Sequence, residues 1–476
     1  MPAPKREIYL LSPQTLSPET IAVAFARTSR SPESFREIAA ELSDEQSAEF
    51  HEKWVVGYGH ASVAEHAVLH IAIENASRVA MEAIESNRLA SYTEKSTRYQ
   101  KWDADNFHIP AELEGHPLRG EYLAACRALF EAYAASLQPV RALVEQRAPR
   151  RPDESDAAWD RRIRSQYVDS CRFLLPAAAL ANVGMTANGR VLENAIRKWR
   201  SHGLAEVREI GDTVREVARA EIPTLVKYAE PLEYLQEAGN ALTRQAEKGR
   251  LPVGDRKLAR KEWCTLVEYD PDGEARVLAS ALYRFGNLEY SEALGRVRAL
   301  GAEPLAEALF AHLGRFDIPL RELEHTHYTF ELVMDQGAYA EFKRHRMMTQ
   351  TPQTLTAGLG YAVPRRLVEA GFGDPYRRAM DLAGAAWERL ADFNPLVAQY
   401  VVPNGYQRRV LATFNLREAY AFCQLRAAAN AHFSIRKVAQ RMAEEIRRVH
   451  PLLAGWMRLP QEPWQTIEEG YFSAES

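Results

Sequence analysis

One stretch of this chain occurs twice, and the repeat restricts the fold to one that is built two times over. Arg88-Leu89-Ala90-Ser91-Tyr92-Thr93-Glu94-Lys95-Ser96-Thr97-Arg98, preceded by Ser86-Asn87, answers to Arg344-His345-Arg346-Met347-Met348-Thr349-Gln350-Thr351-Pro352-Gln353-Thr354. Upstream, Glu65-His66 pairs with Glu324-His325, an offset of 324 − 65 = 259, whereas Arg88 pairs with Arg346 at 346 − 88 = 258. One residue has slipped between the two anchors. Leu69, Ile71 and Ile73 match Tyr328, Phe330 and Leu332 in phase, a period of two that predicts a half-buried strand. Each strand is expected to run into a helix, over 76–84 and 336–343, with the basic cluster near its end and a loop after it. Further on, Leu174-Leu175-Pro176 matches Val401-Val402-Pro403, and Asn188-Gly189-Arg190 matches Asn415-Leu416-Arg417 at 415 − 188 = 227. The first copy is therefore longer by 258 − 227 = 31 residues. The Arg- and Pro-rich run from Arg147 to Arg164 is the expected surplus, read as a solvated excursion.

A length of 476 residues exceeds what one core usually holds, and two domains of about 220 residues are ordinary sizes. The expected boundaries are 1–238, a polar linker over 239–255, and 256–476. A net charge of −4 gives no general pull toward nucleic acid or membrane. Cys126, Cys171, Cys264 and Cys423 lack the spacing of a metal site or of a disulfide framework, which points to a cytosolic protein and no bound metal. The first residues show no leader-like pattern, and no stretch approaches 18 apolar residues.

The order His60, Ser62, Glu65-His66, then Ser91, Glu94, Ser96, Arg98, then Arg172 before Leu174-Leu175-Pro176 resembles the flavin-dependent thymidylate synthases. Their signature is an Arg-His-Arg followed by Ser, Glu, Ser and Arg at fixed spacing, and Ala26-Arg27-Thr28-Ser29 matches as well. The resemblance implies an α+β fold of two tandem thymidylate-synthase-complementing-protein-like domains, each a small, mainly antiparallel sheet flanked by long helices. It also implies pockets between subunits of a tetramer, a state that two of these chains would mimic as a homodimer. The division of residues fits composite sites. The first copy keeps Glu94, Ser96, Arg98 and Arg172, where the second has Pro352, Thr354, Thr356 and Gln399; the second keeps Arg344, His345 and Arg426, where the first has Ser86, Asn87 and Trp199 or Lys198.

What the resemblance implies for chemistry is conversion of dUMP to dTMP, with FAD as cofactor and NADPH and methylenetetrahydrofolate as co-substrates. Arg98, Arg172 and Arg344 would grip the nucleotide phosphate, because planar guanidinium forks suit a dianion. Ser96 with neighbouring Lys95 and Thr97 would complete that shell, and Glu94 would accept from a sugar hydroxyl. Arg426, as the catalytic group, would stabilise charge developing on the pyrimidine. The flavin contacts implied are Ser29, His60, Ser62, Glu65, Arg344, His345, Arg346 and Asn415.

Plainer roles stand beside these. Glu324, His66 and His325 serve the strand start, and Asn188-Gly189-Arg190, with Asn415 and Arg417, in part serves the fold. Gly358-Leu359-Gly360 reads as a turn. The acidic residues Asp153, Glu154, Asp156 and Asp160 make the basic run near Arg161 a solvated face. Two positions depart from the family: Thr93 replaces the usual Asn, and Glu341 replaces the usual Gln. An anion at 341 would repel a nucleotide phosphate unless it pairs with Lys343, Arg344 or another arginine. Altered substrate, a relative without methylene transfer, and a scaffold are the alternatives this leaves.

Overall fold

The computed structural model describes residues 7–29, 31–57, 60–96, 102, 104–247 and 262–473. Two antiparallel sheets carry the repeat. The first comprises β1 (Val68–Ser77), β2 (Ser91–Glu94) and β3 (Leu180–Asn188) in the order β1-β3-β2. The second comprises β4 (Cys264–Tyr269), β5 (His327–Asp335), β6 (Thr349–Pro352) and β7 (Gln407–Asn415) in the order β4-β5-β7-β6. Registers agree once the offsets are applied: Val68 faces Asn188 as His327 faces Asn415, and Ser91 faces Thr186 as Thr349 faces Thr413. The alternating residues point inward as expected, Leu69, Ile71 and Ile73 at 8–9% exposure and Tyr328, Phe330 and Leu332 at 0%. What the sequence suggests as a loop after each basic cluster is instead a tight turn into β2 or β6.

The slipped residue has a physical cause. Pairing of β1 with β3 shifts between Ile73 and Ala76, and Asn75 there adopts φ 56°, whereas β5 pairs with β7 without interruption. The extra residue of the first copy is thus a β-bulge, closed by a short polar side chain of the kind that tolerates the left-handed region.

Helices follow the strands because the strand ends carry caps. Ser77 and Asp335 accept from the N–H groups of Ala80 and Ala338 and open the helices Arg78–Glu85 and Gln336–Phe342. Asn188 and Asn415 do the same for Gly189–Arg200 and Leu416–Arg426, through Val191 at 3.0 Å and Glu418 at 2.9 Å.

The chain forms two compact units that do not follow the repeat boundary. One holds residues 1–95, 110–114 and 180–252; the other holds 96–109, 115–179 and 253–476, so the long helices of the first copy cluster with the second. Within this second unit the two Pro-containing segments pair antiparallel, Pro176 against Pro403. Their bonds are reciprocal. Ala177 N–H donates to Val402 at 3.0 Å and Asn404 N–H to Leu175 at 3.0 Å, while Ala178 donates to Tyr400 and Gly405 to Phe173. Each residue therefore meets the partner of its own counterpart, the signature of a two-fold relation inside one chain.

Two expectations are corrected. The surplus of the first copy is not only a solvated excursion: residues 148–153 lie largely exposed, but the run then enters the helix Asp156–Cys171, whose inward face buries Ile163 fully. Together with the 29-residue helix Arg119–Arg147 it stands where the second copy has Gly373–Phe393 and the short Pro395–Ala398. The expected linker begins inside a helix, Glu233–Glu247, because Ala241, Leu242 and Gln245 outweigh the cost of Gly239, roughly 1 kcal/mol. The rest of that expected linker, from 248 to 255, lies outside the described residues.

Candidate active site

Three helix C-termini of the second unit bring their last residues together. Glu341 sits in the final turn of Gln336–Phe342, Arg426 ends Leu416–Arg426, and Arg172 caps Asp156–Cys171. The negative end of a helix favours a guanidinium and disfavours a carboxylate, so Glu341 needs a cationic neighbour. It has two. Its Oε2 accepts from Arg426 Nη1 at 2.9 Å, and its Oε1 lies 3.5 Å from Arg172 Nη2. Arg172 belongs to the first copy and the other two residues to the second.

His345 extends the series. Arg426 Nε donates to its Nε2 at 3.0 Å, which leaves the ring proton on Nδ1, 3.2 Å from Glu418 Oε1. Burial pushes the His345 ring below its ordinary range, so it is neutral at physiological pH. Its ring stands edge-on to Phe422 at 4.9 Å. Glu418, Phe422 and Arg426 are spaced by four on one helix face, and all three touch the same imidazole. Burial pulls Arg426 below the usual guanidinium range, Glu341 opposes that shift, and the exposed Arg344 nearby adds to it. Asp169 lies 3.8 Å from Arg172, and its carbonyl accepts from His432 at 3.1 Å. Burial, with Arg172 second, drives His432 down to about 4.

The equivalent corner of the first unit has the same skeleton without the charges. Trp199 replaces Arg426, Asn87 replaces His345, and Ala83 replaces Glu341. Trp199 is 1% exposed, and its indole N–H donates to the Ala83 carbonyl at 3.0 Å. Asn87 turns back on Ile84 O at 3.0 Å, and Ser86 on Ala83 O at 2.8 Å. Val191 and Ala195 replace Glu418 and Phe422, so the face is apolar.

The first unit also holds a cleft of about 690 Å³. Phe25, Phe50 and Trp54 form an aromatic wall, Arg27, Ser29, Ser31, His60, Ser62 and His66 supply polar groups, and Glu33 and Glu41 add two carboxylates. Ser29, His60 and Ser62 thus line one cleft. Glu65 does not line the cleft: it is ion-paired with Arg190, and the matching Glu324 is paired with Arg417 at 2.7 Å.

A family model described as thymidylate synthase complementing protein matches residues 10–224 and again 265–452. The chain belongs to this family. Among its relatives, a UPF0159 protein of Chlamydia muridarum is 31% identical over 434 residues, covering 88% of this chain and 82% of its own length. A flavin-dependent thymidylate synthase of Clostridium tetani is 26% identical over 219 residues, 46% of this chain and 84% of the enzyme. A solved flavin-dependent thymidylate synthase of Helicobacter pylori, complexed with FAD and dUMP, shares 17% identity and covers 42% of this chain and 100% of its own, with a TM-score of 0.31. That last likeness is too loose to transfer any geometry.

The remaining expected residues of the chain are distributed unevenly. Glu94 is buried and ion-paired with Arg78, while Lys95 is exposed and fixed through its N–H to Asn182 O at 2.8 Å. Ser96 is half-buried. Thr97 and Arg98 lie outside the described residues. Asn415 uses its side chain as a helix cap, and Arg344 and Arg346 flank His345 in the turn before β6. The sequence reasoning missed Glu418, Asp169, His432 and Arg78. Only Glu418 had a readable signal, since Asn415-x-x-Glu418 is a helix-start pattern that places the carboxylate on the face of Arg426. The four cysteines are buried and free, and burial raises Cys126, Cys171 and Cys423 to about 12, which leaves no thiolate for nucleophilic work.

Proposed function

We propose that this chain is an enzyme of the flavin-dependent thymidylate synthase type, converting dUMP to dTMP with FAD, NADPH and methylenetetrahydrofolate, at a nucleotide site to which both copies contribute. The observation that carries the reading is the meeting of Arg172 from the first copy with Glu341, Arg426 and His345 from the second. Arg172, Arg344 and Arg98 are the proposed phosphate grip, with Glu94, Lys95, Ser96 and Thr97 in the same nucleotide-binding segment. Arg426 is the proposed catalytic group: held rigidly between Glu341 and His345, it presents a fixed positive charge to a pyrimidine oxygen and stabilises negative charge there.

The cleft of the first unit suits the cofactor. Its aromatic wall gives a flat ring a stacking surface, and Arg27 with the serine hydroxyls offers donors to phosphate oxygens. FAD, when bound, supplies hydride transfer; Ser29, His60 and Ser62 would hold it, and Arg344, His345, Arg346 and Asn415 are the flavin contacts the resemblance implies for the second copy. Two chains as a homodimer would hold four copies. Among the described residues no helix is long and apolar enough to cross a membrane, and a cytoplasmic site of action is part of the proposal.

A second reading, a flavin and nucleotide binder without methylene transfer, is favoured by one observation, the Glu341 carboxylate between two guanidinium groups. An anaerobic assay with dUMP, NADPH, FAD and methylenetetrahydrofolate, scored for dTMP, separates the two. Under the first reading dTMP forms, one FAD binds per chain, and Arg172→Ala weakens dUMP binding by at least ~10-fold while Gln399→Ala does not. Flavin oxidation without dTMP would establish the second.

A further inference from the structure

We infer that Glu341 is an internal anion that occupies Arg172, a member of the proposed phosphate grip, and that it therefore sets how strongly this site prefers a phosphorylated ligand over an uncharged nucleoside. The inference deepens the thymidylate synthase reading and rests on it. With one oxygen held by Arg426 at 2.9 Å, the carboxylate turns its other oxygen to Arg172 at 3.5 Å, an acceptor where an oxygen of a phosphate would lie. Nothing in the fold demands a carboxylate there, since the first copy performs the same turn with Ala83. The helix itself opposes it, because position 341 is in a last turn, where the backbone dipole is negative.

The charges facing this point favour competition rather than cooperation. Arg172, Arg426 and the nearby Arg344 are positive; Glu341, Glu418 and Asp169 are negative, and His345 is neutral. An incoming dianion meets the Glu341 carboxylate already beside Arg172, and it gains full use of Arg172 only when Glu341 leaves it. The Glu341 side chain is 17% exposed, against 9% and 16% for the two arginines. The carboxylate thus borders solvent and has somewhere to go.

The test compares FAD-loaded wild type with Glu341→Gln and Glu341→Ala, titrated calorimetrically with inorganic phosphate, dUMP and deoxyuridine, after thermal melts confirm folding. Removal of the internal anion is expected to tighten phosphate and dUMP by ~10-fold or more in both variants, with deoxyuridine changed less than about twofold. Unchanged or weaker phosphate binding in both variants would overturn the inference, even if wild type makes dTMP. Tighter phosphate with no binding of dUMP or deoxyuridine to any protein would leave the inference standing and remove the thymidylate reading. Should only Glu341→Ala tighten phosphate, the glutamine amide is competing by bulk, and the anionic role is overturned.

Discussion

The corner around Arg426 and the corner around Trp199 are one piece of architecture with two chemistries. In both, the end of the helix after β3 or β7 reaches back to the helix after β1 or β5. The contact is Arg426 to Glu341 in one and Trp199 to the Ala83 carbonyl in the other. The polar version holds two guanidinium groups, two carboxylates and a neutral imidazole in half-buried surroundings, an arrangement costly to desolvate unless every group is paired. The apolar version needs no such pairing and is tightly filled. The duplicated fold supports either, so the charged corner is the one that the proposed function needs, while the apolar corner serves stability.

The largest expected effects follow from that split. Trp199→Ala should lower unfolding free energy by ~3–5 kcal/mol, as for large buried aromatics generally, while turnover per folded molecule stays near wild type. Arg426→Ala should act on turnover as well as stability, with kcat for dTMP formation per folded molecule falling by ~10²–10³, the scale of losing one preorganised stabilising donor, and the melting temperature falling too because Glu341 and His345 lose a partner. Parallel urea unfolding and single-turnover assays would check both. Loss of turnover in the Trp199 variant at full folding would mean that the filled corner takes part in chemistry.

Much of this contrast was legible in the sequence because the repeat supplies its own control. Offsets of 258 and 227 place Ser86, Asn87 and Trp199 against Arg344, His345 and Arg426, and the strand phase fixes which residues face inward. The one-residue slip is visible as well, but a bulge at Asn75 cannot be told from a loop insertion without the pairing of β1. The helix Asp156–Cys171 was hidden by its composition: arginines and aspartates mask an inward face that runs from Ile163 through Tyr167 and Val168 to Cys171 before the chain turns at Arg172. The membership of the long first-copy helices in the second compact unit was not readable, since periodicity reports which face is buried and not what buries it. Asp169 and His432 were missed for the same reason, being 263 residues apart in sequence and joined by one hydrogen bond.

His432 sharpens the comparison at moderate scale. It caps the helix Phe433–Val449, whereas Leu204 precedes Ala205–Arg219 in the first unit and donates its N–H to the nearby His202, so the two histidines stand at different places relative to their helices. The folded His432 ring titrates near about 4, below the ordinary value of roughly 6.5, because burial and Arg172 disfavour the imidazolium. A depressed histidine contributes stability that is complete above the unfolded value and is lost as pH falls from ~6.5 toward ~4. His432→Asn keeps a capping acceptor without the titration. The stability gap between wild type and variant, taken from urea midpoints at pH 7 and pH 5, should shift against wild type by ~2 kcal/mol at the lower pH. A gap independent of pH would show that His432 is already charged or already solvated.

The smallest effects belong to a feature the halves share. Glu65–Arg190 and Glu324–Arg417 tie the short 3-10 turn before β1 or β5 to the first residues of the helix after β3 or β7, with side chains between 30% and 52% exposed. Ion pairs this open to solvent are worth ~1 kcal/mol or less, and Glu65→Gln and Glu324→Gln should each cost about that. The symmetry decides between a structural and a cofactor role for Glu65. A residue whose counterpart performs the same tie is expected to leave bound flavin unaffected, so both variants should purify with FAD at the wild-type ratio, read from the absorbance of released flavin. If Glu65→Gln alone emptied the protein of flavin, the carboxylate would be acting on the cofactor beyond its tie to Arg190, and the two halves would differ at the strand start as well as at the charged corner.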